Sequence, residues 1–285
     1  MTPRLFSFRW DVDHHVCVTD GLPRIRQVCS DLGVKNTFFV NMGKSTDLGE
    51  WLRGIGKSKA KLTDPNSVSL VKKAGWPRFL KETLLARPVG LSFPREIEAL
   101  QSDGHELGLH GGMNHVTWSR RFDRLPDDEL EADVRESHAH FQRLFGAPAG
   151  FTSPGFRSDP RVMRIVDQLG CAYDGDRIGG APALGGAARA HLHWTIPVTV
   201  CGPGTVPFLE WHGARGTPDA AVLEALDPFL ASNGLVVMYG HPCYEGVRAE
   251  LLRKVFERVL ARGFRFVTHA EVATKLQTSR EAARA

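Results

Sequence analysis

Short apolar runs alternate along this chain with amphipathic stretches of helix length, and this alternation limits the possible folds more than any other feature of the sequence. Strand-like runs cover residues 5–10, 36–41, 105–110, 150–153, 171–174, 194–199, 235–240 and 264–267. Apolar residues at helical spacing lie between or after them, at 22–32, 94–102, 127–145, 159–169, 219–231 and 247–261. Pro23 near the first turn and Gly33 just past the last apolar position bracket the first of these helices. About eight strands separated by helices predict a parallel sheet with helices outside it, most simply a (β/α) barrel. With 285 residues, 42% of them apolar, the chain suits one such domain. We expect a single α/β domain over residues 1–275, carrying an irregular insertion at about 44–92, and a C-terminal tail at 276–285.

Charge is unevenly placed. A formal net charge of +4 gives no support to a nucleic-acid partner. Between Trp51 and Arg87, however, nine Lys/Arg face two acids, so this stretch carries +7 and the remainder of the chain is net acidic. The five cysteines are odd in number, widely spaced and without a Cys-x-x-Cys, which fits a reducing compartment. No signal-peptide pattern or membrane-length apolar run is visible, so a cytoplasmic protein is expected.

Acids and histidines cluster just beyond three of the apolar runs. Asp11 and Asp13 are two apart, so on a strand both point to one face. Of two such carboxylates, a cation readily stabilises one while the other stays available as a base. His110-Gly111-Gly112-Met113-Asn114-His115 places two imidazoles in a Gly-rich turn directly after a strand. Neutral imidazole with carboxylate suits zinc or a similar divalent ion, and three protein ligands leave a position open for water. His241 follows residues 235–240 and is a candidate general acid, because its ordinary pKa lies near neutrality. Arg157 and Asp176 also sit just beyond strands. Taken singly, Arg157 and Asp176 are each more simply read as ordinary surface charges. No Gly-x-Ser-x-Gly elbow and no phosphate-binding Gly-rich loop is present.

The ordered set Asp11-Val12-Asp13, Thr37-Phe38-Phe39, Gly104-His105-Glu106-Leu107-Gly108-Leu109-His110, Gly155-Phe156-Arg157, His241 and Gly263-Phe264-Arg265-Phe266-Val267 resembles the polysaccharide deacetylase (NodB-homology) family. The resemblance spans nearly the whole chain. Within the family it is most similar to the deformylases that act on 4-deoxy-4-formamido-L-arabinose carried on undecaprenyl phosphate. That narrower likeness rests on Arg9-x-Asp-Val-Asp, Gly21-Leu22-Pro23, the basic insertion, Ile196-Pro197-Val198-Thr199 and Glu245-Gly246.

The resemblance implies an irregular (β/α)7 barrel of the NodB-homology type and metal-dependent hydrolysis of an N-acyl group. It implies that Asp11 is the catalytic base and that Asp13, His110 and His115 hold one divalent metal, zinc first, with manganese, cobalt or nickel as alternatives. Arg157 would orient Asp11, His241 would protonate the departing amine, Asp176 would pair with His241, and Glu245, Pro154 and Phe156 would face substrate. Two residues depart from the pattern: the family spaces its paired histidines four apart, whereas here Asn114 takes that place and the histidine is His115, and Cys243 stands where the deformylases carry Glu. The substrate implied is an amino sugar, polyprenyl-phosphate-linked, in lipopolysaccharide or envelope glycan assembly. A catalytically silent carbohydrate-binding relative, or an amidase for another small amide, are the alternatives. On this reading the basic segment 51–87, with Trp51, Leu52, Ile55, Trp76, Phe79 and Leu80, suits peripheral contact with an anionic membrane at its inner face.

Overall fold

Strand β1 (Leu5–Val12) is buried on both sides, as a central strand of a parallel sheet must be, and its alternation divides the molecule into two cores. Phe6, Phe8, Trp10 and Val12 point toward the surrounding helices and join the larger apolar cluster. Leu5 points the other way, into a smaller cluster with Phe39, Tyr173, Val237 and Tyr239. On that inner face Ser7, Arg9 and Asp11 are polar yet buried. The interior of the sheet therefore changes from apolar to charged along β1.

The computed structural model describes residues 4–46, 87–184, 192–231 and 234–284. Its remaining strands are β2 (Thr37–Val40), β3 (Glu106–His110), β4 (Gly150–Thr152), β5 (Tyr173–Asp174), β6 (Ala183–Leu184), β7 (Trp194–Thr195), β8 (Leu235–Gly240) and β9 (Arg265–Phe266). The helices are α1 (Leu22–Leu32), α2 (Val89–Ser92), α3 (Pro94–Ser102), α4 (His115–Arg121), α5 (Asp127–Phe145), α6 (Pro160–Gln168), α7 (Phe208–Ala214), α8 (Asp219–Ala231), α9 (Pro242–Glu245), α10 (Ala249–Ala261) and α11 (His269–Ala282).

Strand order is β6-β7-β5-β4-β3-β2-β1-β8, with β9 beside β1 and only the β6–β7 pair antiparallel. The seven parallel strands from β8 to β7 curl into the irregular barrel expected. Segment 198–200 bridges the open side, Val198 pairing with Ile178 and Val200 with Met238. The Thr199 and Val200 amides both donate to the Val237 carbonyl, at 2.9 and 3.0 Å. β1 is shared by three neighbours: its second half pairs with β2 (Asp11↔Phe39), its first half with β9 (Leu5↔Arg265), and β8 runs along its other side. Because these strands are parallel, their C-terminal ends gather at one rim, where Asp11, His110 and His241 all emerge.

Helix α11 corrects one expected boundary. It runs unbroken from His269 to Ala282, so residues 276–282 are its last turns and not a separate tail. A capping box starts it, with the Thr268 side chain accepting the Glu271 amide and the Glu271 side chain accepting the Thr268 amide. Most of the basic stretch 51–87 lies outside the described residues; of the insertion at about 44–92, the described parts are its two ends. Those ends meet: Lys44 bridges both Pro88 and Asn114, and the Val89 amide donates to the Gly43 carbonyl at 2.8 Å.

At the opposite end of the barrel, His269 is fully buried between Phe39 and Tyr173, with Nδ1 2.8 Å from the Ser7 hydroxyl. Burial, reinforced by the nearby Arg9 charge, pushes its imidazole down to about 3. The folded protein thus holds this ring neutral, whereas the unfolded chain protonates it near its ordinary value. The resulting stability is present above pH ~6.5 and is lost as pH falls toward 3, at about 1.4 kcal/mol per pH unit. Thermal melts of His269→Gln should therefore lose less between pH 6.5 and 5 than those of the wild type. Parallel pH profiles would remove His269 as the source.

Candidate metal centre

Three side chains from two strand ends converge at the rim. Asp13 follows β1, His110 ends β3, and His115 begins α4 after a four-residue turn. One ligand atom from each lies within 4.8 Å of the other two. The Asp13 Oδ1 atom is 3.1 Å from His110 Nε2 and 3.3 Å from His115 Nε2. Burial alone would push the Asp13 carboxyl up, but His115 and His110 outweigh it and hold it well below the usual carboxylate range. Burial pushes the His115 imidazole down, which favours the neutral ring that a metal ligand requires.

The residues around the cluster orient it. His110 Nδ1 lies 2.7 Å from the Thr152 hydroxyl, and with Nδ1 donating there, Nε2 is left bare toward Asp13. Asn41 Nδ2 donates to the Asp13 carbonyl at 3.2 Å. Asn114, the alternative to His115, is committed elsewhere: it caps α4 by accepting the Thr117 amide at 3.1 Å. One carboxylate and two imidazoles at this separation fit the donor set of a zinc-like ion.

Asp11 lies beside this cluster and is held by Arg9. Arg9 Nε donates to Asp11 Oδ1 at 2.7 Å and Nη2 to Oδ2 at 2.8 Å, a two-pronged pair with both residues buried. The remaining prong, Nη1, donates to the Gly175 carbonyl at 2.6 Å. The Phe156 ring lies 4.6 Å from the guanidinium and edge-on to Tyr239. Phe156 adopts φ +57°, a conformation that a bulky residue keeps only where its surroundings enforce it.

His241 Nε2 is 3.5 Å from Asp13 Oδ2, and its Nδ1 is 2.5 Å from Glu210 Oε1. Glu210 lies on α7 and is buried. The carboxylate fixes the ring's tautomer and orientation, with Nδ1 donating to it and Nε2 turned into the site.

Two expected partnerships are changed by this geometry. Arg157 does not reach Asp11; its guanidinium extends outward to Asp123 at 3.2 Å, because the tight turn at Gly155 and Phe156 directs it away from the barrel. Asp176 does not pair with His241; its carboxylate accepts the Ser153 amide and hydroxyl, both at 2.6 Å, and burial beside Asp174 raises it to about 6. Glu245 and Pro154 are buried. The Glu245 carboxylate accepts the His241 amide at 2.8 Å, holding that loop from below. Phe156 alone of the three is partly exposed. The residues that sequence reasoning passed over are Arg9 and Glu210. For Arg9 a signal existed, since it stands two before Asp11 and so shares its face; for Glu210 no local signal marks it.

No family model matches the chain. A Shewanella sediminis protein assigned as the 4-deoxy-4-formamido-L-arabinose-phosphoundecaprenol deformylase ArnD is 24% identical over 201 residues, 68% of this chain. The match spans 62% of that relative's length, less than two-thirds. Among solved structures, a Mycobacterium smegmatis protein assigned as a polysaccharide deacetylase superposes with a TM-score of 0.64 at 15% identity, over 98% of this chain and 92% of its own. The chitin deacetylase of the fungal pathogen Colletotrichum lindemuthianum does so with a TM-score of 0.55 at 16% identity, over 95% and 88%. The resemblance read from the sequence is thus borne out, and the relatives it points to are hydrolases of amide bonds.

Proposed function

We propose that this chain, which has the fold of the polysaccharide deacetylases, is a metal-dependent hydrolase that removes an N-formyl or N-acetyl group from an amino sugar. The observation that carries the proposal is the convergence of Asp13, His110 and His115 within 4.8 Å, with the Asp11 charge acting on His110 and His241 Nε2 3.5 Å from Asp13. A divalent cation held by these three residues, zinc by the character of the donors, would polarise the acyl oxygen and lower the pKa of water toward ~7.

The chain's own groups supply the proton transfers. Asp11, aligned by both prongs of Arg9, takes a proton from the attacking water. His241 Nε2 gives a proton to the leaving nitrogen, while Glu210 holds Nδ1 and balances the imidazolium charge. A C–O bond forms, the C–N bond breaks, and the products are a carboxylate and a free amino sugar. The buried Arg9, packed between the Phe156 and Tyr239 rings, keeps the base in one orientation.

The finer reading is a polyprenyl-phosphate-linked amino sugar, supported by the likeness to the Shewanella deformylase and by the +7 charge of residues 51–87. That segment would meet an anionic bilayer from the cytoplasmic side. No helix among the described residues is long and apolar enough to cross a membrane. The test of the general proposal is amine release from N-formyl and N-acetyl amino sugars by protein loaded with zinc, cobalt, manganese or nickel. Release that stops with a chelator and returns with metal is expected. Protein that binds no divalent metal and releases no amine would overturn it.

A further inference from the structure

We infer that Asp133 positions His115 and so sets the affinity of the Asp13–His110–His115 cluster for its cation. The inference rests on the reading of that cluster as a metal site. Its basis is the turn between the two imidazoles. Residues 111–114 belong to neither β3 nor α4, so their amides need partners from elsewhere. The Gly111 amide donates to the Thr152 carbonyl at 2.8 Å, and Asp133, on the second turn of α5, serves two of the others: its carboxylate accepts the Met113 amide at 3.1 Å and the Asn114 amide as well. The contact is close on both sides. A Cβ at Gly112 would lie 1.7 Å from Asp133 Oδ2, so only glycine lets the carboxylate approach the turn. From the opposite side the Lys44 amide donates to the Met113 carbonyl at 3.0 Å.

The peptide units just before His115 are therefore clamped between Asp133 and Lys44. An apolar or small residue would suit the half-buried face of α5 better than an acid, since a carboxylate there loses hydration. What the carboxylate contributes is the path of the turn, and that path determines where His115 Nε2 lies relative to Asp13. Asp133 touches neither ligand nor reacting atoms, so it is a positioning residue.

The test measures Zn2+ and Co2+ affinity of the wild type, Asp133→Asn, Asp133→Ala and Gly112→Ala against a chromophoric chelator, with thermal melts of the metal-free proteins. Outer contacts of this kind are worth about 10–100-fold in metal affinity. Asp133→Ala should show that loss, and Gly112→Ala a comparable one by displacing an intact carboxylate. Asp133→Asn keeps the shape and one acceptor, so it should fold normally and fall between. The Co2+ absorption spectrum should change with the loss, and excess metal should restore kcat with KM for the sugar unchanged. Wild-type affinity in Asp133→Asn and Asp133→Ala overturns this inference alone. A wild type that binds neither ion overturns the metal reading, and this inference with it.

Discussion

Replacing Asp11 with Asn should reduce amine release by about 10²–10⁴-fold, the usual contribution of a positioned general base, while the metal remains bound. The three residues proposed to hold the metal are untouched, because Asp11 is tied to Arg9 and not to the Asp13 cluster. The same substitution should also destabilise the fold. Arg9 is fully buried, and among the described residues its hydrogen bonds apart from Asp11 reach only the Gly175 carbonyl. Breaking a buried ion pair by removing one partner costs about 3–5 kcal/mol, and Asn returns part of it through one remaining acceptor. The two effects separate in a double variant. Removing both charges in Arg9→Met with Asp11→Asn should recover much of the stability without recovering turnover. Turnover by Asp11→Asn within tenfold of the wild type would show that another group is the base.

Replacing His115 with Ala should weaken cation binding by more than the ~10–100-fold that loss of an outer contact produces. Asn114→Ala should leave affinity near that of the wild type. Asn114 is expected to matter only for α4, where losing the cap at the Thr117 amide costs about 1 kcal/mol. Titration with Zn2+ against a chelator, beside thermal melts, reads both quantities. If Asn114→Ala lost the metal and His115→Ala kept it, the ligand set would have to be redrawn. The two residues are neighbours that differ in direction: α4 begins at His115, so its first residue turns inward while the cap faces its own helix.

The particular residues show how far local pattern reaches. Asp11, Asp13, His110 and His241 were legible because each follows an apolar run, and parallel strands must bring such ends to one rim. The sheet's closure was less so: the expected strand at 194–199 is regular only at Trp194–Thr195, and the rest joins the barrel through single bridges. Helix α11 was overlooked although Thr268 and Glu271 have the spacing of a capping box. The roles of Arg157 and Asp176 came from motif order, and the geometry assigns those partnerships to Arg9 and Glu210.

Sequence alone determined the class of fold and the residues available for chemistry, because strand and helix periodicities and the charges beyond them are local properties. Tertiary structure decided which charge meets which. Arg9 reaches Asp11 because alternate residues of one strand face one interior, and Glu210 reaches His241 because α7 passes beside the end of β8, 31 residues before it in the chain. A hydrogen bond depends on ångström-scale distance and direction, and between residues far apart in sequence only the packed barrel supplies these.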